Sequence, residues 1–294
     1  MKNKSKAYQV LLITILCILC ALVVLPFLLL VSISFSEESD IVYNGYKLWP
    51  ENFSVPSYRY LLGNSTAVFD AYKVTIFYSL VGMALSVLLT AMMAYPLTRR
   101  NLKGRKFMSF YIYFTMLFGG GMVPSYILIT QYLHLDNTLL VYIIPGLMSP
   151  WNVFMARSFF SDLPEEMIES AKIDGATEYR IFFNFVIPLS KPVLATIALN
   201  VFLLKWNEWM TCMLYITNSK LYSLQYLLQS IMENIRVLQE AQASGTGLML
   251  SESEIPAETV RMAMAVIAAG PAVLVFPFFQ KYFVKGMTVG SVKG

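Results

Sequence analysis

ESAKIDGATEYRIFFNFVIPLSKP, residues 169–192, carries six charged side chains between two almost entirely apolar segments. Gly175 is predicted to adopt the left-handed conformation that commonly ends a helix, and Thr177 to cap a second helix. Pro188 is predicted to break this second helix, because proline lacks a backbone N–H and its ring clashes with the preceding turn. The pattern therefore predicts a short helix, a sharp turn and another short helix within a largely apolar chain.

The segment before Gly175 has its own helix-start signals. Ser161 or Asp162 is predicted to cap the first helix, with Pro164 in its first turn and its end near Ile173. The charged passage therefore begins before residue 169.

This first helix is predicted to have an apolar side and a charged side. Met167, Ile168 and Ala171 fall on one side, and the small Ala171 and Ala176 leave room for another surface to come close. The residues by themselves support two interpretations equally. The element is either a docking knob for a partner protein or an amphipathic linker that lies on lipid headgroups.

The composition identifies a membrane protein. Of the 294 residues, 57% are hydrophobic and 14% are charged, whereas soluble domains contain about 25% charged residues. Three cysteines and a single histidine, His134, provide neither a zinc site nor a disulfide framework. Membrane lipid is therefore an expected partner and nucleic acid is not.

Six segments are apolar and long enough to cross a bilayer, which takes about 20 residues per helix. Each is expected to be helical, because lipid offers no hydrogen-bond partner to free backbone groups. The predicted fold class is an all-α integral membrane protein with six transmembrane helices. The expected spans are residues 10–33, 74–97, 107–131, 138–157, 186–214 and 260–280.

The distribution of lysine and arginine predicts the orientation. Six spans place both termini on one side, and that side receives fifteen of the 22 basic residues while the opposite side receives four. Because basic residues mark the cytoplasmic side, both termini and the charged loop between spans four and five are expected in the cytoplasm. The expected divisions are the N-terminus 1–9, the first span 10–33, an outer loop 34–73, a core 74–280 with the cytoplasmic loop 158–190 and the outer loop 215–259, and the C-terminal tail 281–294.

The charged stretch resembles the cytoplasmic EAA loop of permease subunits in binding-protein-dependent ABC importers. That pattern reads Glu-Ala-Ala, three residues, Gly, nine residues and Ile-x-Leu-Pro, and Glu169, Ala171, Gly175 and Pro188 fall at matching positions. The endings IPLSKP and KYFVKGMTVGSVKG are similar to the carbohydrate-uptake branch, and in particular to the smaller permease of maltose importers. The departures from the pattern are Ser170 for Ala, Phe185 for Ile and Ile187 for Leu.

The resemblance implies several partners. A cytoplasmic ATPase dimer would bind loop 164–188, a second and non-identical permease would complete the pathway, and an extracytoplasmic binding protein would meet the outer loops. The tail 285–294 is expected either to touch the ATPase or to end as a frayed segment. The implied ATPase-coupling residues are Glu169, Ser170, Ala171, Asp174, Gly175, Ala176 and Pro188.

The energy for transport is expected to come from another subunit. The sequence contains no GxxxxGK[ST] phosphate-binding motif, so the chain is expected not to be an enzyme and to bind no cofactor, with ATP and Mg²⁺ held by the partner ATPase. The expected location is a bacterial-type cytoplasmic membrane.

The fifth span contains the most polar membrane sequence, LKWNEWM at 204–210. Lys205 and Glu208 are spaced to pair on one helix face, and polar groups within spans often have a function. Rings and amides suit sugars, which present both C–H faces and hydroxyls; an interfacial aromatic belt is the alternative. The candidate pathway residues are Lys205, Trp206, Asn207, Glu208 and Trp209.

Glycine and proline interrupt spans three and four. Gly119–Gly121 lies in the third span, and Pro145, Gly146 and Pro150 lie in the fourth. These residues predict either hinges and close helix contacts or ordinary packing irregularity.

The sequence therefore favours a permease subunit of an ATP-driven importer for a sugar or oligosaccharide. An ABC permease for a non-sugar solute is the first alternative. An ion-coupled secondary transporter is another, although no repeat relates the two halves and Glu208 is the single acid within a span. A scaffold with a docking loop but no transport activity is the last.

Overall fold

The computed structural model describes residues 2–63, 66–243 and 256–290. Within these ranges the chain is helical, and its one extended pairing is an isolated bridge between Ser36 and Phe53. The helices are α1 Lys2–Ser34, α2 Glu38–Asn44, α3 Pro56–Gly63, α4 Ala67–Thr98, α5 Arg105–Leu117, α6 Met122–Ile127, π1 Leu128–Tyr132, α7 Leu140–Ile143, α8 Pro150–Ser161, α9 Glu165–Ile173, α10 Glu178–Ile181, π2 Phe182–Val186, α11 Ile187–Leu189, α12 Lys191–Trp206, α13 Met210–Tyr215, the 3-10 helix Ser219–Leu221, α14 Leu224–Ala243 and α15 Ala257–Gly290.

Three helices of the described chain are long and apolar enough to cross a membrane unbroken, namely Tyr8–Ser34, Ala67–Thr98 and Ala257–Tyr282. Two more spans are possible if each of two bent helix pairs counts as one. The pair Arg105–Leu117 and Met122–Tyr132 is bent by 111°, and the pair Glu178–Leu189 and Lys191–Trp206 by 78°. Length and composition thus support between three and five spans.

The prediction of unbroken helices over 107–131 and 138–157 is wrong. The first is interrupted between α5 and α6, where Gly121 has a φ of +85°. The second is divided into α7 and α8 by a non-helical link in which Gly146 has a φ of +72°. Only glycine adopts such angles without strain, and Pro150 then starts α8 at the position where a missing N–H costs least. The glycines and prolines therefore mark real breaks.

The prediction that Pro188 ends the second helix of the charged loop is also wrong. The chain stays helical from α10 through π2 and α11, and the 78° bend falls at Ser190 instead. In the wide π turn, the N–H of Ile187 reaches back to the carbonyl of Phe182. This wider turn relieves the clash and the missing bond that proline causes in a regular α-helix.

The predicted fifth span, 186–214, also divides into separate helices. α12 ends at Trp206, residues 207–209 are not helical, and α13 begins at Met210. The polar candidates of LKWNEWM therefore lie at the end of α12 and in the break that follows it.

One compact unit comprises the described residues up to Val68 together with those of 228–271. In it the predicted outer loop 34–73 is partly helical. The carboxylate of Glu38 accepts hydrogen bonds from the backbone N–H groups of Glu258 and Thr259, each at 2.9 Å. A carboxylate is stabilised at a helix N-terminus by the free N–H groups and the helix dipole, so Glu38 anchors the start of α15.

The second unit comprises 69–227 and the described residues after 271. Its core joins α4, α8, α9 and α12, with Ala91, Ala94 and Ala156 fully buried at the contacts. Alanines allow helices to pack closely. This core places the charged loop against the ends of the membrane helices.

The predicted outer loop 215–259 contains the helix α14, whose first N–H donates to the Thr75 hydroxyl at 2.9 Å. Most of the Gly/Ser-rich part of that loop, 242–253, lies outside the described residues.

Candidate functional site

The first helix of the charged loop, α9, starts without a side-chain cap. Pro164 occupies the N-cap position, so the prediction of a Ser161 or Asp162 cap is wrong. The reason is that α8 extends through Ser161, whose hydroxyl donates to the Arg157 carbonyl at 2.9 Å. Glu165 and Glu166 begin α9 and stabilise it through the helix dipole.

The turn after α9 is closed by the backbone of Gly175 and Ala176. The Gly175 N–H donates to the Lys172 carbonyl at 3.0 Å, and the Ala176 N–H donates to the Ala171 carbonyl at 2.9 Å. This pair of bonds is the Schellman motif, and it requires a left-handed residue at Gly175, whose φ is +77°. The predicted role of Gly175 in ending the helix is confirmed.

The second helix begins at the predicted cap. The Thr177 hydroxyl accepts a hydrogen bond from the Arg180 N–H at 3.4 Å, and Thr177 itself is extended. Two helices with well-defined ends are therefore joined by a four-residue turn, 174–177.

The two sides of α9 differ as the sequence predicted. Ile168 and Ala171 are buried in the core, and Ala176 packs against the same core. The close approach that the small residues permit is therefore to the chain's own helices. The polar candidates Glu169, Ser170 and Asp174 are exposed, as are Gly175 and Pro188. A partner at this site would meet the polar side of the element.

A cluster of four side chains, which we call the latch, ties the charged loop to α4. The Tyr95 hydroxyl donates to the Glu178 carboxylate, and Arg99 donates to the Tyr95 hydroxyl at 2.6 Å. The other carboxylate oxygen of Glu178 lies 2.7 Å from Lys172 Nζ. The latch thus joins the end of α4, the last turn of α9 and the start of α10.

The charges of the latch keep Glu178 ionised. Partial burial would raise the pKa of Glu178, but the hydrogen bonds from Lys172 and Tyr95 and the charges of Arg99 and Lys172 outweigh it and lower that pKa below its ordinary value. The guanidinium carbon of Arg99 also lies 4.4 Å from the centroid of the Tyr95 ring. This cation–π contact further stabilises the latch.

Sequence reasoning missed the latch. Arg99 and Lys172 were counted only among the basic residues that predict the orientation, and Tyr95 was not identified as a candidate. One signal was available, since Tyr95 and Arg99 are four residues apart at the end of a long apolar helix and so share a face. Their partner Glu178 is 83 residues from Tyr95, which no local pattern reveals.

The predicted pairing of Lys205 with Glu208 is wrong. Lys205 Nζ instead donates to the Tyr142 carbonyl at 2.7 Å, and Glu208 accepts a hydrogen bond from the Thr211 N–H at 2.9 Å. The helix ends at Trp206, so the two residues no longer share a helical face. Glu208 caps α13, while the buried Lys205 connects α12 to α7.

The remaining pathway candidates separate into buried and accessible residues. Trp206 is 1% exposed and stacks on Phe202 with 5.8 Å between ring centroids, so it is part of the packing. Asn207 is exposed, and Glu208 and Trp209 are half-buried. The accessible candidates are therefore the three residues in the break between α12 and α13.

Comparisons with known proteins agree on the kind of protein this chain resembles. Residues 74–289 match the family of binding-protein-dependent transport system inner membrane components. The chain is 36% identical to the polygalacturonan/rhamnogalacturonan transport system permease protein YtcP of Bacillus subtilis (strain 168), over 99% of this chain and 100% of that protein. It is 37% identical to Protein LplC of the same organism, over 93% and 90% of the two chains.

A solved structure is similar over nearly its full length. It belongs to a bacterial ABC transporter involved in the import of the acidic polysaccharide alginate, and it shares 27% identity with this chain. The TM-score is 0.80, and the match covers 95% of this chain and 97% of that chain.

Proposed function

The chain belongs to the family of binding-protein-dependent transport system inner membrane components, and from this premise we propose that it is the permease subunit of an ATP-driven sugar or oligosaccharide importer. The permease is not an enzyme, and the ATPase is a separate subunit. The observation that carries the proposal is the charged loop: a rigid helix–turn–helix with an exposed polar side whose other side is fastened to the membrane helices.

The ATPase contact is proposed at the exposed side of α9 and its turn. Glu169, Ser170 and Asp174 supply polar groups there, and Gly175 holds the shape of the turn. Ala171, Ala176 and Pro188 shape the element from within or at its end and make no polar contact of their own. The described C-terminal residues up to 290 continue α15, and a tail contact with the ATPase remains part of the proposal.

Motion of the ATPase would reach the membrane helices by two routes. One is covalent and runs from α10 through π2 and α11 to the bend at Ser190 and into α12. The other runs through the latch, from Lys172 and Glu178 to Tyr95 and Arg99 on α4. A packed core is bistable rather than softly deformable, so a rigid displacement of α9 would shift α4 and α12 together.

The topology we propose has six spans with both termini in the cytoplasm. The bent pair α5–π1 would form the third span, α7 with α8 would form the fourth across their non-helical link, and α12 with α13 would form the fifth. Irregular backbone is tolerated at membrane depth where it lies within protein or lines a cavity. A second, non-identical permease would cover these breaks, and α14 would face the extracytoplasmic binding protein.

The substrate we propose is a uronate-containing oligosaccharide. Support comes from the polygalacturonan/rhamnogalacturonan permease and the alginate transporter, since all three named polysaccharides contain uronate sugars. Lys205 adds no support, because its ammonium group is buried against the Tyr142 carbonyl. Asn207, Glu208 and Trp209 are the residues of this chain that would line the pathway.

Reconstitution tests the proposal. The chain is co-expressed with a candidate ATPase, second permease and binding protein from the same organism, and uptake into vesicles is measured. We expect uptake to require ATP on the side of the membrane that carries the ATPase. A protonophore should not abolish uptake, and replacement of the phosphate-binding lysine of the ATPase should abolish it. Uptake driven by a proton gradient without ATP hydrolysis would support an ion-coupled transporter instead.

A second measurement tests the substrate class. The thermal stabilisation of the binding protein is compared for oligogalacturonate and for a neutral oligosaccharide of equal length. Stabilisation by the neutral sugar alone would overturn the uronate proposal while leaving the importer assignment intact.

A further inference from the structure

A basic cavity of about 730 Å³ lies where the link between α4 and α5 meets the end of α8. Four of its seven lining residues are cationic, and none is acidic. The lining residues are Arg100, Leu102, Gly104, Arg105, Lys106, Ser109 and Arg157. The cavity is separate from the latch and from the pathway candidates.

Most of the positive charge in this cavity is uncompensated. Arg100 lies 3.6 Å from Glu165, a weak contact between two exposed groups. No carboxylate of the described residues pairs with Arg105, Lys106 or Arg157. Arg157 instead donates to the hydroxyl of Ser109 at 3.1 Å. Like charges gathered in one cavity repel each other, so an anion bound there would stabilise the site.

The start of α5 adds to the attraction for an anion. Gly104 precedes the helix with a φ of +83°. The Arg105 N–H donates to the Leu102 carbonyl at 3.3 Å, and no side chain caps the N–H groups that follow it in the first turn. Helix N-termini favour anions through these N–H groups and the helix dipole. The N-terminus and the three unpaired cations line one cavity.

Beyond the cavity, α5 continues with an apolar and exposed surface. Its exposed large side chains are Phe107, Phe110, Tyr111, Tyr113, Phe114, Met116 and Leu117. A soluble phosphate would use only the basic cavity. A phospholipid would use both features, with its phosphate in the cavity and its acyl chains along α5.

We propose that this cavity binds the phosphate headgroup of an anionic phospholipid from the cytoplasmic leaflet. Basic pockets between membrane helices on that side are suited to such headgroups. The leaflet follows from the topology under the proposed function, but binding itself does not depend on transport. Arg105, Lys106 and Arg157 hold the phosphate, and the bound lipid fixes α5 against α8.

The test measures lipids retained by the purified transporter complex. The complex is exchanged into nanodiscs of phosphatidylcholine and phosphatidylglycerol, and the retained lipids are counted by native mass spectrometry. We expect phosphatidylglycerol to be retained preferentially. Replacing both Arg105 and Arg157 by Gln should reduce this preference about thirtyfold, which corresponds to about 2 kcal/mol, since a basic residue at an anionic surface contributes about 1 kcal/mol. The matched control is Lys103→Gln, which removes an exposed charge from the same link outside the cavity.

Four outcomes would overturn the proposal. One is equal retention of both lipids by the unsubstituted complex, a result that needs no variant to fold. Another is an equal effect of Lys103→Gln. The third is displacement of the lipid by millimolar soluble glycerol phosphate, which would assign the site to a free phosphate. A preference that appears only without the ATPase would also count against it, because the ATPase would then cover the cavity. If the Gln variant is not produced, Arg105→Lys with Arg157→Lys should keep the preference.

Discussion

Tyr95, near the end of a membrane helix, donates its hydroxyl hydrogen to Glu178, the first residue of the second helix in the charged loop. This bond joins the element proposed to receive the ATPase to a helix long enough to cross the membrane. It gives the permease a route for motion that does not depend on the covalent chain alone.

Removing the Tyr95 hydroxyl should loosen the charged loop. Tyr95→Phe is expected to cost about 1 kcal/mol of local stability, which corresponds to about a fivefold shift in a local opening equilibrium. Hydrogen exchange of residues 165–190 should accelerate accordingly, and ATP-driven uptake should fall while membrane levels stay normal. The matched control is Tyr111→Phe, at an exposed tyrosine of α5. Unchanged exchange in Tyr95→Phe would show that the latch does not hold the loop.

Substitutions at Gly175 should show whether a side chain there is disfavoured by backbone strain or by lack of space. A Cβ atom there would meet nothing within 4 Å, but the φ of +77° disfavours L-residues other than Asn. Gly175→Val should cost about 1–2 kcal/mol and reduce uptake strongly, whereas Gly175→Asn should retain most of it. Equal loss in both variants would point to a direct contact of the glycine with the partner instead.

Reversing the charge of Glu169 should weaken ATPase binding without unfolding the permease. Glu169 is exposed and has no partner among the described side chains, so Glu169→Lys should leave membrane levels unchanged. Less ATPase should then co-purify with the permease. Asp136→Lys makes the same charge change at an exposed residue in the link between π1 and α7. If the two variants retain equal amounts of ATPase, Glu169 is not at the interface.

The lowered pKa of Glu178 makes the latch dependent on pH. Because the folded-state pKa is below the unfolded one, the stabilisation is fully present above the unfolded pKa and is lost as the pH falls through the folded pKa. The ¹³C carboxyl signal of Glu178 should therefore titrate below the range of free glutamate. Lys172→Gln should raise that midpoint, and Lys191→Gln should not. A midpoint unaffected by Lys172→Gln would mean that the ion pair does not form.

Gly82 should be intolerant of a side chain. A Cβ atom there would lie 2.5 Å from Cε of the buried Lys205, and overpacking of this kind costs about 1–3 kcal/mol. Gly82→Ala should lower the thermal stability of the purified protein, and adding Lys205→Ala should recover part of the loss. Gly270→Ala, in a helix where the new Cβ meets nothing within 4 Å, should be neutral or stabilising. A stable Gly82→Ala variant would contradict the packing described for Lys205.

The accuracy of the sequence predictions depended on how local their causes are. Gly175 and Thr177 were placed correctly because a helix end is determined by the backbone conformation and the side chain of one or two residues. The prediction for Pro188 was wrong because the π turn before it changes the backbone hydrogen-bond pattern that proline would otherwise interrupt. Span continuity over 138–157 failed for a related reason, since a hydropathy average does not register one glycine with a positive φ.

The part of the candidate site that lies within one continuous motif was predicted, and the part that depends on residues distant in sequence was missed. The polar residues of α9 are exposed and its apolar residues are buried, as the helical spacing requires. Lys205 and Glu208 were predicted to pair from their spacing, but the helix ends between them and each finds a backbone partner. The location of a helix end within a polar run depends on the elements packed around it.

The sequence alone determined that the chain is a helical membrane protein with a charged helix–turn–helix after its fourth apolar segment. Hydropathy, helix caps and motif spacing are properties of neighbouring residues, so they can be read without the fold. The tertiary structure decided that Tyr95 and Arg99 hold Glu178, that Gly82 makes room for Lys205, and that Arg105 and Arg157 share a cavity. Those contacts join residues 52 to 123 positions apart, and chain folding rather than local preference brings them together.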